Sequence, residues 1–224
     1  TGNGAGGMQV IMQGEDYAFA SFNQLEVTGN TGTGIQTALQ SSNGVAMAIY
    51  GIDDALYDVI DGILALAGGT PIPDAYKDGG PVNASGNSGA GIDNQLFADV
   101  LAFAGFFDVQ ANANTGGAGI RNLAFATNGV AAALFAPSSV LTDLINGGAG
   151  LLGAPVAPLG DAAVYGPLTV NHNFGGGIDS TINGGNAALQ AALGIEALNN
   201  FAPGLFTMTF AEDIAVNLAA GVTA

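Results

Sequence analysis

The feature that most constrains this chain is its similarity to itself. Four short glycine signatures recur: Gly32-Thr33-Gly34-Ile35, Gly89-Ala90-Gly91-Ile92, Gly117-Ala118-Gly119-Ile120 and Gly175-Gly176-Gly177-Ile178. The step from the first to the third (32 to 117) nearly equals the step from the second to the fourth (89 to 175). Glycines coincide by chance in a Gly/Ala-rich chain, so a shared register has to decide. It does: Asn43-Gly44-Val45 falls on Asn128-Gly129-Val130, Leu56 on Leu141, Asp58 on Asp143, Ile60 on Ile145 and Pro81 on Pro167. A tandem duplication is the simplest source of such a register, and internal repetition sets the fold before any motif does. The chain divides accordingly into an N-terminal strand segment (1–29), a first copy (30–113), a second copy (114–200) and a C-terminal strand and helix (201–224), all in one compact unit.

Each copy reads locally as helix, sharp break, helix. The first helix is expected at 36–50 in one copy and 121–135 in the other, the second at 53–66 and 138–146. Asp53 is a good N-cap with acids in the first helical turn, and in the second copy Ser138 caps after Pro137. Pro-rich connections follow at Thr70-Pro71-Ile72-Pro73 and Ala154-Pro155-Val156-Ala157-Pro158. Further helices are expected at 92–107 and 186–200. The ends differ: 9–13, 17–27, 168–171 and 205–210 are rich in β-formers, and Ala18, Ala20 and Phe22 alternate imperfectly with Phe19, Ser21 and Asn23. The expected fold class is therefore α+β: duplicated helical modules packed on a small sheet formed near both termini.

Charge excludes several functions. Lys77 and Arg121 are the only cations against 18 carboxylates, for a net charge of −16. Nucleic-acid binding needs cations to displace condensed counterions, and two cannot supply that term. Electrostatic attraction to anionic lipid fails for the same reason. Charged residues total 9%, so the surface is expected to be built from Asn, Gln, Ser, Thr, Gly and exposed Ala, with few sites for trypsin-like proteases. The sequence begins at Thr1 without a basic-then-apolar leader, as a processed secreted protein would. The uncharged run between Arg121 and Asp143 contains Asn, Ser and Pro residues, and reads as buried helices with a break rather than a membrane span.

The catalytic inventory is nearly empty. There is no Cys, and His172, the single histidine, falls in an expected strand at 168–173. The nearest match to a nucleophile elbow, Gly86-Asn87-Ser88-Gly89-Ala90, carries Ala at its last position. Lys77 is flanked by carboxylates that favour its charged form, the wrong direction for a nucleophilic lysine. Asp54, Asp58 and Asp61 share one face of the expected helix; this is a solvated face, with a calcium site as the alternative. The Gly-x-Gly-Ile-Asp forms ending at Asp93 and Asp179 read as turns leading into helices, with a calcium roll as their alternative. No catalytic residue or other cofactor is assigned, and the chain reads as a non-enzyme.

Segments such as Asn146-Gly147-Gly148-Ala149-Gly150-Leu151-Leu152-Gly153 resemble the Gly/Ala/Asn-rich secreted surface proteins of mycobacteria and related actinobacteria. That resemblance is compositional and implies an extracellular or cell-surface location. The expected function is a secreted structural protein that associates with itself into a filament, fibre or layer. The alternatives are an oligomeric pore or lipid-contacting protein of an actinobacterial outer envelope, marked by a continuous outward apolar band, and a carboxylate-based glycan-binding protein or enzyme.

Overall fold

A computed structural model describes residues 2–51, 79–137 and 168–223. Among these residues the chain forms seventeen strands and no helix. Three parallel sheets wind around one axis, so the architecture is a parallel β-helix. The first sheet stacks β1 (Met8–Gly14), β4 (Ile35–Ser41), β7 (Ile92–Ala98), β10 (Ile120–Ala126), β13 (Ile178–Gly184) and β16 (Leu205–Ala211) in that order. The second stacks β2 (Tyr17–Phe22), β5 (Val45–Tyr50), β8 (Leu101–Phe106), β11 (Val130–Phe135), β14 (Ala187–Leu193) and β17 (Ile214–Ala220). The third is narrow: β3 (Leu25–Glu26), β6 (Val82–Asn83), β9 (Val109–Gln110), β12 (Leu168–Thr169) and β15 (Ile195–Glu196).

The expected α+β class is thus overturned. The segments read as helices at 36–50, 121–135, 92–107 and 186–200 are each a strand, a tight turn and a second strand. The C-terminal helix is likewise absent, replaced by β17. Two signals outweigh the helix propensity of Ala. Burial alternates with period two: Ile120, Asn122, Ala124 and Ala126 face inward and are buried, whereas Arg121, Leu123 and Phe125 are more exposed. Turn residues such as Ser42-Asn43-Gly44 and Thr127-Asn128-Gly129 then break each segment where a helix would have to continue. Propensity is a weak prior, and tertiary burial decided here. The expected second helices, 53–66 and 138–146, lie outside the described residues. Strands from both ends do share a sheet, but β1 and β16 lie at its opposite edges with four strands between them, so it is not a small sheet beneath helices.

Many of the alanines expected on the surface line the core instead. On the second sheet Ala18, Ala46, Ala102, Ala131 and Ala188 form one inward column, and Ala20, Ala48, Ala104 and Ala133 form the next. Small side chains are needed because the interior is about one side chain thick. Tyr50 on the second sheet reaches across it, its hydroxyl 2.8 Å from Thr37 Oγ1 and donating to Asn94 Oδ1 at 3.0 Å on the first. Burial drives the Tyr50 phenol well above its ordinary pKa; the Thr37 hydroxyl opposes that rise and the Asp93 charge adds to it.

Successive coils of the first sheet begin at Met8, Ile35, Ile92, Ile120, Ile178 and Leu205. Short coils and long coils alternate in that series, the long ones about twice the length of the short. The register seen in the sequence is therefore one long coil followed by one short coil. The element order of β4–β9 recurs in β10–β15. The extra length of the long coils falls between β5 and β6 and between β11 and β12, in stretches outside the described residues.

Each glycine signature forms the corner that leads into a first-sheet strand, not into a helix. A Cβ on Gly91 would lie 2.6 Å from the carbonyl oxygens of both Ala84 and Gly119, so no other residue fits this corner without displacing backbone. Gly7 and Gly204 occupy the same place in the end coils, which makes six such corners although only four carry the full signature.

Candidate self-association faces

Like residues stack on like through the body of the molecule. Phe22, Tyr50, Phe106 and Phe135 form a continuous aromatic stack with ring centroids 4.7, 4.8 and 4.9 Å apart. At the corner before the first sheet, Asn3, Asn30, Asn87, Asn114, Asn173 and Asn200 form a ladder. The backbone N–H of each donates to the side-chain oxygen of the next, at 2.8–3.1 Å. Nδ2 of Asn30, Asn87 and Asn114 donates to the same oxygens. Inside the first sheet, Nδ2 of Asn94 donates to Asn122 Oδ1 and Nδ2 of Asn122 to Ser180 Oγ. Stacked identical side chains of this kind fix the register of parallel strands.

The residue before each ladder asparagine adopts a left-handed conformation: Gly2, Gly29, Gly86, Ala113, His172 and Asn199, with φ between 55° and 69°. His172 therefore sits in an exposed turn beyond β12, not in the expected strand. Beside it a shallow groove is lined by Asn173, Asn200 and the stacked rings of Phe174 and Phe201, 4.7 Å apart. In the elbow-like segment, Asn87 is a buried rung of the ladder and Ser88 is exposed.

Asp54, Asp58, Asp61 and Lys77 lie outside the described residues. Asp93 and Asp179 point outward from the first sheet on either side of Arg121, whose Nε lies 3.4 Å from Asp93 Oδ1. Among the described residues no three His, Cys, Asp or Glu side chains gather as a metal-binding set.

The two ends of the winding differ from its body. Among the described residues, β1 and β2 pair only with β4 and β5, and β16 and β17 only with β13 and β14, so these four strands are the outermost of their two sheets. Large apolar side chains are exposed there: Met8, Ile11, Met12 and Tyr17 at one end, and Phe206, Met208, Phe210, Ile214, Val216 and Leu218 at the other. Every residue of β17 is exposed, although its neighbour β14 buries every inward position. Unpaired, flat, apolar edges are templates for pairing with another chain.

No protein-family model, curated protein or solved structure matches the chain.

The sequence motifs point neither to these edges nor to the short coil. A signal for the coil is nonetheless present: an asparagine shortly before a Gly–apolar pair, six times, from Asn3 ahead of Gly7-Met8 to Asn200 ahead of Gly204-Leu205. The two outermost occurrences lack the full glycine signature, so they do not stand out.

Proposed function

We propose that the protein is a structural β-helix that associates with itself through its end coils into elongated assemblies. The observation that carries this reading is that β1/β2 and β16/β17 are the outermost strands of their sheets among the described residues, with exposed apolar side chains and a direction parallel to the body. Main-chain pairing at such edges supplies affinity, and alternate side chains supply register. A contact between two different ends of one molecule is heterologous and does not close, so it propagates into a fibre.

The test is the size and shape of the full chain by light scattering and electron microscopy across concentration and salt. Expected is concentration-dependent growth into elongated particles with unchanged β-sheet content. A monomer under all conditions contradicts the reading.

A second reading is supported by the outward apolar side chains of β16 and β17, which suit contact with lipid. Co-flotation with neutral phosphatidylcholine vesicles in preference to self-association would favour it.

A further inference from the structure

Resting on that reading, we infer that copies stack head-to-tail in one register, residues 200–223 of one copy on residues 3–26 of the next, and that facing carboxylates hold this junction in check. The end coils match without a gap. Asn200 and Asn3 are the outermost rungs of one ladder. The same numbering offset that relates Asn200 to Asn3 also relates Leu205 to Met8, Ile214 to Tyr17, Gly221 to Gln24 and Thr223 to Glu26. Gly221 and Gln24 share a left-handed corner, with φ of 64° and 50°.

Coils in general do not match this well. From the first coil to the second, the pairs Met8–Ile35, Tyr17–Val45 and Leu25–Val82 each stand at a different offset, the last about twice the first. Coils five and six, which stack within the chain, do match without a gap: Ile178–Leu205, Ala187–Ile214 and Glu196–Thr223 all stand at one offset. The junction between copies would thus repeat a geometry the molecule already uses. It would also continue the columns. Ala215 would meet Ala18 in the alanine column, Ala219 would lie against Phe22, and Asn200 would donate to the Asn3 side-chain oxygen, extending the ladder.

Charge works against this stack at one place. The turn between the first two sheets carries Glu15-Asp16 in the first coil and Glu212-Asp213 in the last, again at the offset of Asn3 and Asn200. Within the chain these turns place acids against amides: Asn43 Nδ2 donates to Glu15 Oε1 at 3.2 Å, and Asn128 Nδ2 to Asp99 Oδ1 at 2.5 Å. Ser42-Asn43 lies next to Glu15-Asp16, and Gly185-Asn186 next to Glu212-Asp213, and neither neighbour contributes a cation. Among the described residues the one Lys or Arg is Arg121, on the first-sheet face and paired with Asp93. Stacked copies would therefore bring four carboxylates together across a strand spacing of about 4.8 Å. Like charges so placed oppose association, and screening or neutralisation relieves them.

The chain contains no cysteine, which makes the register directly testable. Gln9→Cys and Phe206→Cys, both at exposed outward positions, are mixed and treated with a short bis-maleimide; Gln13→Cys with Phe210→Cys is an independent pair at the same offset. Expected is a predominance of 9–206 and 13–210 products over 9–9 and 206–206. Adding Glu212→Gln and Asp213→Asn should lower the concentration needed for association at low salt by at least about tenfold. Sodium should reproduce much of that gain. Association with 9–9 or 206–206 as the main product overturns the register and leaves self-association standing. Unchanged association after charge removal overturns the carboxylate check. Absence of association in every arm overturns the self-association reading as well.

Discussion

Coils in the body and coils at the ends have the same backbone but different surroundings. Ala131 and Ala188 are fully buried, whereas Ala215, one step along the same column, is exposed. Ile178 is 1% exposed, while its neighbour Leu205 is only half-buried. A coil with one neighbour buries less than a coil with two: β17 is exposed throughout, and β2 at the other end buries only its inward set, Ala18, Ala20 and Phe22, where β5 buries every residue. Stability in such a winding is a sum of neighbour contacts, and among the described residues an end coil lacks the second contact that a body coil has. That missing contact is what the proposed assembly supplies.

The strongest way to break this comparison is to cut the same kind of side chain from both regions. Phe106 lies fully buried between the rings of Tyr50 and Phe135. Phe106→Ala should cost roughly 3–5 kcal/mol through cavity formation and lost stacking. Leu218→Ala in β17, half-exposed, should cost under about 1 kcal/mol in the dilute protein. Denaturant midpoints measure both, and equal losses would remove the distinction between body and end.

How much of this is legible in the sequence depends on the residues considered. Alternation in Tyr17–Phe22 is readable, and its inward set Ala18, Ala20 and Phe22 is the buried one. The long register is readable because Asn43-Gly44-Val45 and Asn128-Gly129-Val130 fill equivalent turns of two coils. The strands of Val45–Tyr50 and Val130–Phe135 are not. Their alanines score as helix formers, and the reason they face inward, a core about one side chain thick, exists only once the coils stack. The ladder is hidden for the same reason. Asn30 and Asn87 are far apart in the chain, and nothing local shows that one will donate to the other.

The asparagine ladder sharpens the comparison at smaller scale. Asn114 Oδ1 accepts from the backbone and side-chain nitrogens of Asn87, and its Nδ2 donates to Asn173. Asn114→Ala should cost about 1–3 kcal/mol, because it leaves buried groups without partners. At the exposed end of the ladder, Asn3→Ala should change stability by under about 0.5 kcal/mol. Thermal and denaturant unfolding of the two variants distinguish them.

A modest effect at neutral pH is expected at Tyr50. Tyr50→Phe should cost about 1 kcal/mol for its hydrogen bonds to the first sheet. Its larger signature is alkaline. Burial raises the folded-state value above that of an unfolded tyrosine, about 10. Below that pH both states keep the proton and the contribution is fully present. Above it only the unfolded chain releases the proton, so stability falls as pH rises. The variant should lose this part of the alkaline dependence, measurable by unfolding between roughly pH 9 and 11.

The most direct measurement of the central claim is site-resolved hydrogen exchange of dilute and concentrated protein. In dilute solution the amides of β7, β8, β10 and β11 should exchange slowest, and those of β1, β2, β16 and β17 soonest. On association, protection should rise in those four end strands and stay unchanged in the body. Equal protection of body and ends in the dilute protein, or a gain confined to the body, would contradict the account.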